Sequence, residues 1–141
     1  MTLTRLTVPT HGPACHELTA EIAAWLRTIA AGDGVLTLFV RHTSCSLLIQ
    51  ENADPDVQAD LLAWLTRIAP PSDAPGMGWI THRDEGPDDM PAHLKAAVLP
   101  TSLAIPVAAG RMGLGRWQGV YLVEHRRAPH RREVLAKFQA G

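Results

Sequence analysis

Fifteen consecutive residues, Thr81 to Lys95 (THRDEGPDDMPAHLK), hold two histidines, four acids and two prolines. No apolar core accepts such a stretch, because burying an unpaired charge is costly. The segment must turn at the surface and then start a helix. Asp88 or Asp89 caps that helix, Pro91 fits its first turn, and Leu94, Ala97 and Val98 supply its apolar side. His93 therefore stands near the positive end of the helix dipole, where the field disfavours the imidazolium. Neutral imidazole is the form that a metal ligand or a general base must have. The same histidines also suit plain cap or surface positions in a polar loop, so the segment alone leaves both readings open.

The flanking chain alternates short β-rich runs with helical stripes. Residues 3–8 predict a first strand, broken between Pro9 and Pro13. Leu18, Ile22, Trp25, Leu26 and Ile29 recur at helical spacing until Gly32-Asp33-Gly34 stops them. Residues 35–41 and the run LLIQ read as two strands or one bent strand, separated by His42-Thr43-Ser44-Cys45-Ser46. That polar interruption breaks the local pattern, which marks a candidate site. It also raises a nucleophile reading for Ser44, Cys45 or Ser46, although no nucleophile-elbow motif surrounds them.

Asp54 and Pro55 then open a second helix with an apolar face of Val57, Leu61, Leu65 and Ile68, ended by Pro70 and Pro71. Glu51 and Asn52 precede that cap and are free to face a pocket. Trp79 to His82 reads as a short strand delivering His82 to its end, and Leu99-Pro100 stops the third helix. Residues 102–107 predict a strand in which Pro106 favours an edge or a bulge. In residues 117–125, Glu124 shares a face with Val120 and Leu122, an expensive position unless the acid is paired or bound to metal. Residues 133–138 complete the pattern as a last strand, expected to form a hairpin with residues 117–125.

Composition narrows the class. A chain of 141 residues, 46% hydrophobic, suits one domain with one core. Thirteen basic and fourteen acidic residues leave a formal charge of −1, so no global field argues for nucleic acid or an anionic membrane. The basic run from His125 to Arg132 is a local exception, a phosphate site or a solvated turn. Cys15 and Cys45 lie far apart without a CxxC, which indicates neither a zinc ribbon nor a disulfide framework. No apolar run reaches the length of a membrane span and the N-terminus has no apolar signal region, so a cytoplasmic protein is expected.

Three separated motifs, HTSCSLLIQENADPDVQAD, HRDEGPDDMPAHLKAAVLPTSLAIPV and GRMGLGRWQGVYLVEHR, together resemble the YjbQ family, described as secondary thiamine-phosphate synthase enzymes. The resemblance implies a single α+β domain over residues 1–141, a largely antiparallel or mixed sheet with packed helices, and a homotrimer. Its pattern matches His42, Glu51, Asn52, His82, Asp88, His93, Trp117, Gln118 and Glu124, and departs at Arg116, where a small residue is common. The implied activity joins a hydroxymethylpyrimidine diphosphate to a thiazole phosphate, with pyrophosphate leaving.

A departing pyrophosphate needs charge stabilisation from a divalent ion or from cationic side chains. The expected site therefore has His42, His82 and His93 holding a divalent metal ion, zinc-like or magnesium. Glu124, Asn52 and Asp88 are its expected catalytic groups, with Glu124 either a fourth ligand or the base. Lys95, Arg111, Gln118 and Arg131 are expected to bind a small phosphorylated metabolite. The competing readings are a metal-dependent hydrolase or another transferase on such a metabolite, and a trimeric binding module without catalysis.

Overall fold

The computed structural model describes residues 2–141 as eight strands and three helices arranged in layers. One sheet has five strands in the order β1 (Thr2–Thr10), β8 (His130–Ala140), β3 (Gly34–Val40), β5 (Ser102–Ala108) and β6 (Arg111–Met112). The second has three, β2 (Ala14–Glu17), β7 (Gln118–Glu124) and β4 (Cys45–Glu51). Every pairing is antiparallel. The chain is thus an α+β domain.

Alternation explains the large sheet. Along β3, Leu36, Leu38 and Val40 are buried while Val35, Thr37 and Phe39 face outward; Leu6 and Val8 of β1 and Val134, Ala136 and Phe138 of β8 join the inner face. These side chains pack with Cys45 and Leu47 of β4, Val120 and Leu122 of β7, and Ile22 and Leu26 of α1 (Thr19–Thr28) into one core between the sheets. The other face of the small sheet carries Tyr121, also buried, whose hydroxyl accepts from Gln58 of α2 (Pro55–Ile68). Being covered on both faces, β7 is buried from Gly119 to Glu124, so its sequence reads as a nearly continuous apolar run.

The Asp54-Pro55 signal works as its chemistry dictates: the Asp54 carboxylate accepts the Asp56 N–H at 2.9 Å and the helix starts at Pro55. Several expectations are corrected. Pro9 and Thr10 belong to β1, because Pro9 faces outward in the edge strand, where its missing N–H costs no ladder bond. Residues 79–82 form no strand; they lie in a turn-rich loop. The hairpin between residues 117–125 and 133–138 does not form either. β7 pairs with β2 and β4, whereas β8 crosses to the other sheet and pairs with β1 and β3. The polar interruption at residues 42–44 is the crossing point between the two sheets, so β3 and β4 are separate strands in different layers.

Candidate metal centre

The loop ahead of the third helix, α3 (Asp89–Val98), is held by Arg83. Its Nε donates to the Ile80 carbonyl (2.9 Å), Nη1 to Ser72 (3.0 Å) and Nη2 to Met77 (2.9 Å). One guanidinium thus ties together three carbonyls of an otherwise irregular segment, which steadies the neighbouring His82. Gly86, at φ 97, then reverses the chain in a conformation that favours glycine. Asp88 takes the N-cap position, yet its side chain does not cap. It accepts instead from Arg126 Nε (3.1 Å) and the Arg127 N–H (2.8 Å). Burial raises the Asp88 carboxyl pKa, but the Arg127 N–H and the Arg126 guanidinium more than offset it, leaving it below the ordinary value.

Asp89 and His93 are four residues apart on α3 and share a face. Asp89 is buried: its Oδ1 accepts from Arg126 Nη1 at 2.7 Å, and its Oδ2 lies 2.9 Å from His82 Nε2 and 3.4 Å from His93 Nε2. His93 Nδ1 donates to the Thr43 carbonyl at 2.9 Å. In a neutral imidazole that bond places the lone pair on Nε2, the atom facing His82 and Asp89, and this is the second-sphere contact that metal-ligating histidines ordinarily make. One ligand atom from each of His82, Asp89 and His93 lies within 4.8 Å of the other two. An ion bound at about 2.0–2.1 Å sets its ligand atoms about 2.9 Å apart at a right angle and about 3.4 Å apart in a tetrahedron. The two spacings at Asp89 Oδ2 fall in that range, the shorter being also a hydrogen bond from His82, and by residue type the three side chains suit a divalent ion.

The cluster is buried on the Asp89 side and open on the other. The His82 side chain is 49% exposed and that of His93 30%, and a cavity of about 210 Å³ lined by Trp79, Ile80, Thr81, His82 and Met90 adjoins it. Two histidines, one carboxylate and open positions are the donor set of hydrolytic zinc sites and of other divalent-metal enzymes.

Other residues expected at the site lie elsewhere. His42 is outside the cluster, because its Nε2 accepts the Glu133 N–H at 2.8 Å and has no lone pair left for a metal. Burial, then the Arg132 charge, pushes the His42 pKa down, so it stays neutral as this bond requires. Glu124 is fully buried and is neither a ligand nor an accessible base. Arg132 reaches both its oxygens, Nε to Oε1 at 2.7 Å and Nη2 to Oε2 at 2.6 Å, while the Thr10 hydroxyl donates to Oε1 and the His125 N–H to Oε2. Its expense on an apolar strand face is met by pairing. Asn52 binds the Gln118 carbonyl and pins β4 to the start of β7. Lys95 lines a small cavity of about 70 Å³ with Asp88, His125 and Arg127, where burial lowers its pKa. Arg111 and Gln118 line a different, larger cavity, and Arg131 is exposed on β8.

Sequence reasoning missed Asp89 as the shared carboxylate, although its spacing to His93 was a readable signal. It also missed Arg83, Arg126 and Arg132, whose partners lie in other segments.

The serine and thiol readings fail on geometry. Ser46, fully buried, bonds His125 Nε2 at 2.9 Å, and Ser44 accepts from Arg132. No carboxylate hydrogen-bonds the His125 ring among the described residues, so nothing orients it as a base. Burial pushes the Cys45 thiol up to about 12, which keeps it protonated at neutral pH. Native protein treated with iodoacetamide at pH 8 is therefore expected to leave Cys45 unmodified by mass spectrometry until denaturant is added; rapid alkylation in the native state would contradict this burial.

Fold and cluster together define a class: an antiparallel two-sheet α+β domain carrying a solvent-open His-Asp-His group at the start of a helix. The model of the UPF0047 protein YjbQ-like family matches residues 4–141, and the chain belongs to that family. It is 47% identical over 130 residues to a UPF0047 protein of Synechocystis, covering 92% of this chain and 86% of that one. It is 41% identical over 125 residues to UPF0047 protein YjbQ of Salmonella typhimurium, covering 88% and 87%. The crystal structure of a conserved hypothetical protein from Thermus thermophilus superposes with a TM-score of 0.82 at 37% identity, covering 96% of this chain and 99% of that one. None of these names states a reaction, so the chemistry is argued from the residues.

Proposed function

We propose that this chain is a metal-assisted enzyme acting on a small phosphorylated metabolite, with a divalent ion held by His82, Asp89 and His93. The observation that carries the reading is the convergence of one ligand atom each from His82, Asp89 and His93 within 4.8 Å at a solvent-open position, with Asp89 Oδ2 2.9 Å and 3.4 Å from the two Nε2 atoms. A bound divalent ion supplies Lewis-acid stabilisation of charge on phosphoryl oxygens. The chain's own part is positional. Asp89 is oriented by Arg126 and His93 by the Thr43 carbonyl, while Trp79, 62% exposed beside the cavity, offers a flat apolar surface to a ring-bearing substrate.

The first reaction to assay is the joining of hydroxymethylpyrimidine diphosphate to thiazole phosphate, with hydrolysis of the diphosphate measured in the same samples. Protein purified without chelator is expected to carry about one divalent ion per chain by elemental analysis and to lose turnover on chelation. Metal-free protein that takes up no zinc, manganese or magnesium in titration would remove this reading. Coupled product marks a synthase, and inorganic phosphate or pyrophosphate without coupling marks a hydrolase.

The proposal includes a homotrimer in the cytoplasm. Supporting self-association, the outer face of the large sheet exposes Leu3, Val35 and Phe39, with none of the described elements over them. Among the described residues no helix is long and apolar enough to cross a membrane. Light scattering at micromolar concentration is expected to report the mass of three chains, and a stable monomer there would count against the assembly.

A further inference from the structure

A cavity of about 620 Å³ lies under α1 and away from the metal centre. Its volume is in the range of small-molecule sites. Ala23 and Leu26 of α1 and Met112 and Leu114 after β5 form an apolar wall, and Arg27, Arg111 and Gln118 also line it. The lining contains two cations and no acid. Among the described residues neither guanidinium makes an ion pair or a hydrogen bond, so both charges are available to a ligand. Gln118 Oε1 accepts the Gly115 N–H at 2.7 Å, which leaves its amide NH₂ as a donor without a protein partner.

Two tight turns bound this cavity. Only two non-glycine residues among those described have positive φ, Ala30 at 51° and Ala109 at 49°, and both line it. Both are turn positions: Ala30 is the left-handed cap that ends α1, its N–H donating to the Arg27 carbonyl and that of Ala31 to the Leu26 carbonyl, and Ala109 with Gly110 forms the two-residue turn joining β5 to β6. Here the turn after α1 and the turn between β5 and β6 clamp each other. The Ala109 N–H donates to Asp33 Oδ1 (2.7 Å) and the Gly110 N–H to the Gly32 carbonyl (3.1 Å). Gly110, at φ 76, approaches so closely that a Cβ there would sit 2.6 Å from the Ala31 oxygen.

From these features we infer that the cavity is a second binding site, for a small organic anion with an apolar body such as a phosphate monoester or a carboxylate. The guanidinium groups and the Gln118 amide take the anion, and the α1 wall takes the apolar part. The site is separate from the metal centre. Gln118 opens β7 and Arg126 follows its end, and a seven-residue strand at about 3.3 Å per residue puts them about 20 Å apart. The inference therefore does not rest on the metal reading.

The test is calorimetric titration with three probes sharing one ring system: 1-naphthyl phosphate, 1-naphthoate and 1-naphthol. Saturable 1:1 binding of at least one anion is expected, with the neutral alcohol at least about tenfold weaker, since charge-assisted bonds to guanidinium add affinity. Phosphate binding above carboxylate identifies a phosphate site, and the reverse order a carboxylate site. Arg27→Gln and Arg111→Gln, both at exposed positions, are each expected to weaken the anions by about tenfold with little effect on the alcohol. His93→Ala, whatever it does to metal uptake, should leave the affinity of these anions for metal-free protein unaltered, and amide shifts in NMR should centre on Ala30, Ala109 and Gly110. Equal binding of alcohol and anions, no binding at all, insensitivity to both arginine variants, or shifts centred on His82 and His93 would each overturn the site.

Discussion

Replacing Glu124 by alanine is expected to destabilise the fold by about 3–5 kcal/mol, measured by urea denaturation, because it strands the buried Arg132 guanidinium without its partner. Glu124→Gln, nearly isosteric but uncharged, should lose a large part of the same amount. The double variant Glu124→Leu with Arg132→Met should recover most of it, since removing both charges also removes their desolvation. A loss below about 1 kcal/mol in Glu124→Ala would show that the pair is not structural, and would reopen a chemical role for the acid.

The pH dependence follows from the same network. Burial raises the Glu124 carboxyl pKa, but the bonds from Arg132, Thr10 and the Arg126 N–H outweigh burial and leave it below its ordinary 4.5. A carboxyl depressed in the folded state contributes stability that is complete above 4.5 and lost as pH falls through the folded value. His125 acts earlier. Burial, then the Lys95 charge, lowers it from 6.5 to about 4, so the unfolded chain takes up its proton first and stability declines as pH falls from 6.5 towards 4. Urea midpoints should therefore drop in two stages, and His125→Gln should shrink the first, leaving the part due to His42, whose pKa burial also lowers, and leaving the second.

His93→Ala is expected to weaken divalent-metal affinity by about 100-fold or more, given that loss of an outer-sphere partner alone costs roughly 10–100-fold. Competition against a chromogenic chelator measures it directly. His42→Ala should stay within about twofold of the parent on metal affinity, because its ring is committed to the Glu133 N–H. Equal losses in the two variants would restore a three-histidine site; no loss in His93→Ala would exclude the His82-Asp89-His93 centre.

Much of the fold is legible along the chain because it is written within single turns and runs. Asp54-Pro55 starts α2, the spacing of Ile22 and Leu26 makes α1, and the alternation from Val35 to Val40 makes a one-sided strand. The same local signals place His82 and His93 on either side of an acidic turn. They do not reveal which strand pairs with which. β2, only four residues of mixed polarity, has no such signal of its own and exists because β7 offers it an edge. β8 reads equally well as a partner of β7, but its inner residues are buried between β1 and β3, whose registers set Leu6 and Val40 against Val134.

The site divides along the same line. Two histidines and four acids in fifteen residues identify a polar cluster before any coordinates exist. The choice of Asp89 among those acids depends on Arg126, 37 residues later in sequence, which holds Asp88 and Asp89 from the end of β7. The fate of Glu124 depends likewise on Arg132 arriving from the other sheet, and that of His42 on the Glu133 N–H beside it. Helix caps and periodicities are short-range preferences carried by neighbouring residues, whereas the partner of a buried charge is set by which distant strands the core brings together.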